Sequence, residues 1–74
     1  MNEREKLAML EDMMELDEGT LASDMLLNEI EEYDSMAKLS LIVLMEDDFG
    51  VKLTGEIIRN FKTVGDILEL MQKA

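Results

Sequence analysis

Three consecutive residues near the middle of the chain, Asp34-Ser35-Met36, place a hydroxyl where an acidic stretch gives way to a long apolar run. A hydroxyl in that setting is a place for covalent modification. The run from Met36 to Phe49 is long enough for about four helical turns and ends at Gly50, a residue type that stops helices. Ser35 is therefore expected at a helix amino terminus, where unpaired N–H groups and the positive end of the macrodipole favour a phosphate group carried on the hydroxyl. Asp34 can cap the same helix through its carboxylate. Lys38, one turn on, can pair with Asp34 or with a phosphate. The same residues also read simply as an N-cap pair, and the triplet by itself leaves both readings open.

The elements that position this serine follow from apolar spacing. Leu7, Leu10, Met13 and Met14 recur at three and four residues, which predicts a first helix from about Asn2 to Leu16. Asp17-Glu18-Gly19-Thr20 breaks that period, and the stretch to Tyr33 reads as a long loop pinned to the core by Leu21, Met25, Leu26, Leu27 and Ile30, with a short turn near Asp24 to Leu27. The second helix, Ser35 to about Phe49, is apolar around much of its circumference and is expected to be the most buried element, touching all the others. Thr54 is a candidate N-cap for a short third helix carrying Ile57, Ile58 and Phe61. Thr63 opens a fourth, with Asp66 three residues on completing a capping box and Ile67, Leu68 and Met71 facing inward. The expected fold is all-α: a small bundle of three long helices plus one short helix, with a long loop between helices 1 and 2. No proline or linker divides the chain, so residues 1–74 read as a single domain.

Composition narrows the function. Seventy-four residues support one small core; a monomer is the expectation. Eighteen acidic against seven basic residues give a formal net charge of −11, which argues against nucleic acid and favours basic protein partners. The mixed charges of Asn2-Glu3-Arg4-Glu5-Lys6 show no secretory pattern, and no apolar stretch approaches membrane-spanning length, so no membrane insertion and a cytoplasmic location are expected. Without cysteine the chain supplies neither a disulfide nor a thiolate. Without histidine it has no obvious base to activate Ser35, which counts against a serine hydrolase. Acids crowd at Glu29, Glu31, Glu32 and Asp34 and again at Glu46, Asp47 and Asp48; they read as solvated surface, open to weak divalent-cation binding but lacking the spacing of an ordered metal site. No catalytic residue and no metal ligand is assigned.

The order and spacing of Asp34-Ser35-Met36, then Leu39, Ile42 and Val43, then Glu46-Asp47-Asp48-Phe49-Gly50, and later Thr63-Val64-Gly65-Asp66-Ile67 resemble the acyl carrier protein family over roughly residues 5–73. The resemblance implies an acyl-carrier-like bundle in which Ser35, flanked by Asp34 and Met36, holds 4'-phosphopantetheine covalently, added from coenzyme A by a phosphopantetheinyl transferase. The terminal thiol of that arm would carry acyl groups as thioesters between enzymes of fatty-acid or related biosynthesis. The chain would then be a non-catalytic carrier. Lys38, Glu46 and Asp47 would form part of a partner surface, the acids meeting basic docking patches on acyl-transferring and synthase enzymes. Members of the family shelter acyl chains between their helices, and Met36, Met45 and Met71 would let such a cavity open.

Several positions depart from the family's usual pattern. Met36 stands for the customary leucine; Ala37 and Ser40 stand where acids are frequent; position 38 is lysine, and Glu32 replaces a common glycine. Ile30-Glu31-Glu32-Tyr33 resembles a branch of discrete carriers with an aromatic residue just ahead of Asp-Ser. These differences point toward a specialised carrier, for example in polyketide or lipid synthesis. A peptidyl or D-alanyl carrier uses the same arm, and an unmodified acidic helical interaction module uses Asp34-Ser35 only as a cap.

Overall fold

The computed structural model describes residues 2–72 and is all-helical, in the order α1 (Glu3–Met13), α2 (Ser35–Phe49), α3 (Gly55–Asn60) and α4 (Val64–Leu70). Each helix begins at a side-chain cap. In α1, Asn2 Oδ1 accepts from the Glu5 N–H at 2.8 Å while Glu5 Oε1 accepts from the Asn2 N–H at 3.2 Å. Thr54 Oγ1 accepts from the Ile57 N–H at 3.2 Å to start α3. The expected box at α4 is present: Thr63 Oγ1 accepts from the Asp66 N–H at 3.3 Å, and Asp66 Oδ2 accepts from the N–H groups of Thr63 at 3.0 Å and Lys62 at 2.8 Å. Such caps satisfy N–H groups that the helix itself leaves open. At the other end of α2, Gly50 takes a left-handed φ of 68°, which returns its own N–H to Glu46 and that of Val51 to Met45.

The all-α bundle with its long α1–α2 connection is as expected, although α4 is short, at seven residues. Helix α1 also stops earlier than its apolar spacing suggests. Glu15 adopts a φ of 58°, and the Leu16 N–H bonds back to the Glu11 carbonyl at 2.8 Å, closing the helix with a non-glycine left-handed residue.

The connection is ordered by polar as well as apolar contacts. Leu21, Leu27 and Ile30 are buried. The single 3-10 turn among the described residues lies at Leu27–Glu29, just after the place expected for a turn. Upstream, the segment runs antiparallel to the α3–α4 junction. The Leu27 N–H donates to Lys62 O at 2.9 Å, Val64 N–H to Met25 O at 3.0 Å, and Gly65 N–H to Ser23 O at 2.8 Å, around a Leu26–Thr63 bridge. At its start, the loop is held by Glu11, only 3% exposed, whose Oε2 accepts from the N–H groups of Gly19 and Leu21, each at 2.9 Å.

A further expectation is corrected. Helix α2 is not buried around its circumference: it buries the stripe Ala37, Leu41, Met45 and Phe49 and exposes Met36 (71%), Leu39 (59%) and Val43 (57%). With apolar residues on every side, the helix lays inward the stripe that repeats every four residues; the layer available in so small a bundle covers one side only. Helix α1 packs against both α2 and α4. The centre is closed by Leu10, Leu41, Met45, Val64, Ile67 and Met71, each between 0 and 1% exposed. Burying side chains of this size stabilises by about 1.5–3 kcal/mol each before ordering costs. No helix among the described residues is long and apolar enough to cross a membrane.

Candidate functional site

Ser35 is the first residue of α2 and is exposed. Asp34 precedes it in extended conformation as the N-cap, its Oδ1 accepting from the Ala37 N–H at 2.9 Å and its carbonyl from the Lys38 N–H at 3.0 Å. Both atoms are thus engaged in holding the helix start. The serine hydroxyl sits at the positive end of a fifteen-residue helix, open to a partner. No histidine exists in the chain, and the adjacent carboxylate is committed as a cap. The arrangement presents an exposed hydroxyl oxygen at the start of a capped helix, with no histidine in the chain to act as its base.

Lys38 does not make the expected pair with Asp34. Its Nζ lies 5.4 Å from the centroid of the Tyr33 ring, over the ring face. Asp34 is not its partner; the ion pair present among the described residues is Arg4–Glu18, at 3.5 Å on the surface. Asp34 is turned to the Ala37 N–H instead, while the aromatic ring just before it offers an adjacent face to the ammonium. Burial pushes the Tyr33 phenol above its ordinary pKa of 10.0, and its hydroxyl is buried with no hydrogen-bond partner among the described residues.

Successive helical residues turn by about 100°, which puts Ser35, Met36, Leu39 and Val43 on the outward side of α2, with Glu46 and Asp47 continuing the same side toward the C-terminal end. All six are exposed. From Ser35 to Glu46 the rise is about 16 Å at 1.5 Å per residue. A shallow apolar depression of about 430 Å³ lies over Leu39, Ser40, Val43 and Leu44. Of the sequence-predicted site residues, Asp34, Ser35, Met36, Glu46 and Asp47 therefore share one continuous surface of the helix and its cap. Lys38 stands on the flank toward Tyr33. Of the three methionines expected around an internal cavity, Met45 and Met71 are in the closed core, but Met36 is outside it.

Sequence reading missed the outward strip Leu39–Val43 and the buried Glu11. Periodicity could not find the first, because α2 is apolar on both sides. The second carried a faint signal, since Glu11 falls in the stripe Leu7, Leu10, Met14 where a solvated acid is out of place.

No protein-family profile matches the chain. No solved structure matches it. Among curated proteins it is similar to the "Acyl carrier protein" of Arthrobacter sp. (strain FB24), 35% identical over 43 residues, covering 58% of this chain and 53% of the relative. The proteins of the same name from Micrococcus luteus and Myxococcus xanthus are each 37% identical over 43 residues, 53% and 54% of their lengths. The chain thus spans about half the length of the curated relatives it matches. Across that span its likeness is to acyl carrier proteins.

Proposed function

We propose that this chain is an acyl carrier whose Ser35 holds 4'-phosphopantetheine. The observation that carries the reading is the exposed Ser35 hydroxyl at the first residue of a capped helix, in line with an outward apolar strip and two exposed acids. The similarity to proteins named acyl carrier protein supports it. In the loading step Ser35 Oγ bonds to the β-phosphorus of coenzyme A, the pyrophosphate P–O bond breaks, and adenosine 3′,5′-bisphosphate leaves with the electron pair. A base of the phosphopantetheinyl transferase takes the serine proton. When bound, the arm supplies the thiol that the chain lacks.

Partner enzymes grip the outward side of α2. Met36, Leu39 and Val43 give apolar contact, while Glu46 and Asp47 meet Lys and Arg patches. Exposed pairs of this kind speed encounter and contribute little each, so a shuttle releases quickly. The cargo is an acyl intermediate of fatty-acid, polyketide or related lipid synthesis, handled by a cytoplasmic monomer. The test is intact mass after incubation with coenzyme A and a broad-specificity transferase. The native chain gains one phosphopantetheine and Ser35→Ala gains none; an unchanged native chain beside an active control makes it an unmodified acidic interaction module.

A further inference from the structure

Beside Ser35 lies a groove of about 330 Å³ between the C-terminal end of α1 and the first turns of α2. Asp34 and Met36, the residues on either side of Ser35, both line it, so a group attached to the serine begins at its mouth. Met13 and Met14 contribute from α1, and Ser40 from α2. Two further acids, Glu15 and Glu32, also line it. The groove is at the small end of ligand pockets, which run from about 300 Å³ upward.

Resting on the reading of Ser35 as the attachment point, we propose that Met13, Met14, Met36 and Ser40 form a resting groove for the phosphopantetheine arm itself, as distinct from its acyl cargo. The chemistry discriminates between the two. The arm is a chain of two secondary amides and a hydroxyl separated by short methylene and methyl groups. Its N–H and O–H donors suit a groove lined by carboxylates and a hydroxyl, and its hydrocarbon stretches suit the polarizable thioethers. A saturated acyl chain has no donors and would desolvate those carboxylates without compensation. At the centre of the bundle Leu41, Met45 and Ile67 are each 0% exposed.

The charge at the attachment point is arranged to match. With about 100° between successive residues, Met36 and Ser40 fall on one flank of Ser35 and Lys38 on the other. The Lys38 ammonium, held over Tyr33, has no carboxylate partner among the described residues and is available to the phosphodiester on the flank away from the groove. Tethering raises the local concentration of the arm to the millimolar range, so weak contacts suffice to seat it and a partner enzyme can still withdraw it.

The experiment compares unloaded and loaded protein labelled with ¹³C at methionine methyls, with intact mass establishing that Ser35 carries the arm. Expected are shifts at Met13 and Met14, which lie on a different helix from the attachment point, with Met45 and Met71 unmoved. In a Ser40→Arg variant, whose side chain starts from an exposed position and fills the groove, loading by mass persists and the Met13 and Met14 shifts fall by half or more. Fully loaded protein in which only Met36 moves, or in which Met45 and Met71 move instead, overturns the groove while leaving the carrier reading intact. A chain that gains no mass overturns both.

Discussion

Glu11→Ala is expected to cost this fold a large share of its stability. The Glu11 carboxylate is 3% exposed and accepts two backbone N–H groups, from Gly19 and Leu21, both at 2.9 Å. Hydrogen bonds to a charged group are worth about 1.5–3 kcal/mol each, and a buried donor left without a partner forfeits its solvation. Gly19 is exposed and water can replace its bond, whereas Leu21 is buried and its N–H is stranded. The expected loss is therefore about 2–4 kcal/mol, nearer the single stranded bond than the sum. At about 0.05–0.15 kcal/mol per residue, a domain of this size holds roughly 4–11 kcal/mol in all. A loss of 2–4 kcal/mol corresponds to a fall in Tm of roughly 10–25 °C for a chain this short. Thermal melts followed by far-UV circular dichroism measure it. The control is Glu18→Ala, which removes a surface ion pair with Arg4 and is expected to change stability by less than about 0.5 kcal/mol. Amide exchange adds a spatial test: protection falls first at Gly19 and Leu21. A Glu11→Ala melt within about 4 °C of the native chain, or unchanged protection at those two amides, refutes the reasoning.

Three smaller perturbations follow from local geometry. Gly65→Ala would place a Cβ 3.0 Å from the Ser23 carbonyl oxygen, an atom fixed by its own bond from the Gly65 N–H; the clash outweighs the gain in helix propensity, and the melt is expected to fall by about 4–8 °C, a rise counting against it. Glu15→Gly relieves the left-handed φ of 58° and is expected to stabilise by about 1 kcal/mol, read as a higher urea midpoint at unchanged slope. Asp66 is held below its ordinary pKa of 3.8, first by the Lys62 and Thr63 N–H bonds to its carboxylate. Its folded value being depressed, the stability it contributes is complete above the unfolded pKa and is lost as the pH falls through the folded one. Asp66→Asn should therefore lower stability at pH 7 and flatten the decline below about pH 4; parallel acid titrations of the two chains would contradict this.

Much of the fold is legible where the physics is local. Thr54, Thr63 with Asp66, and Gly50 each mark a helix boundary through a bond made within a few residues, and each does so in the structure. Asp34 caps α2 by the same logic. What the sequence does not reveal depends on distant partners. Which side of α2 turns outward is decided by the stripe that α1 covers, and Ala37, Leu41 and Met45 carry no mark that sets them apart from Met36, Leu39 and Val43. The end of α1 is set by Glu15 in a left-handed conformation that its residue type does not announce. Lys38 is placed beside Asp34 by spacing, yet the cap bond to Ala37 removes that carboxylate and the ring of Tyr33 takes its place. Glu11 looks like one more of eighteen acids until the loop folds over it.

The central claim, that Ser35 carries an acyl group through a prosthetic thiol, is tested most directly by incubating the chain with acetyl-coenzyme A and a broad-specificity transferase, then fragmenting it in a mass spectrometer. The account predicts acetyl-phosphopantetheine on the peptide that contains Ser35, with the acetyl group released by neutral hydroxylamine as a thioester requires. An unmodified Ser35 peptide, with a known carrier loaded in the same reaction, would contradict it.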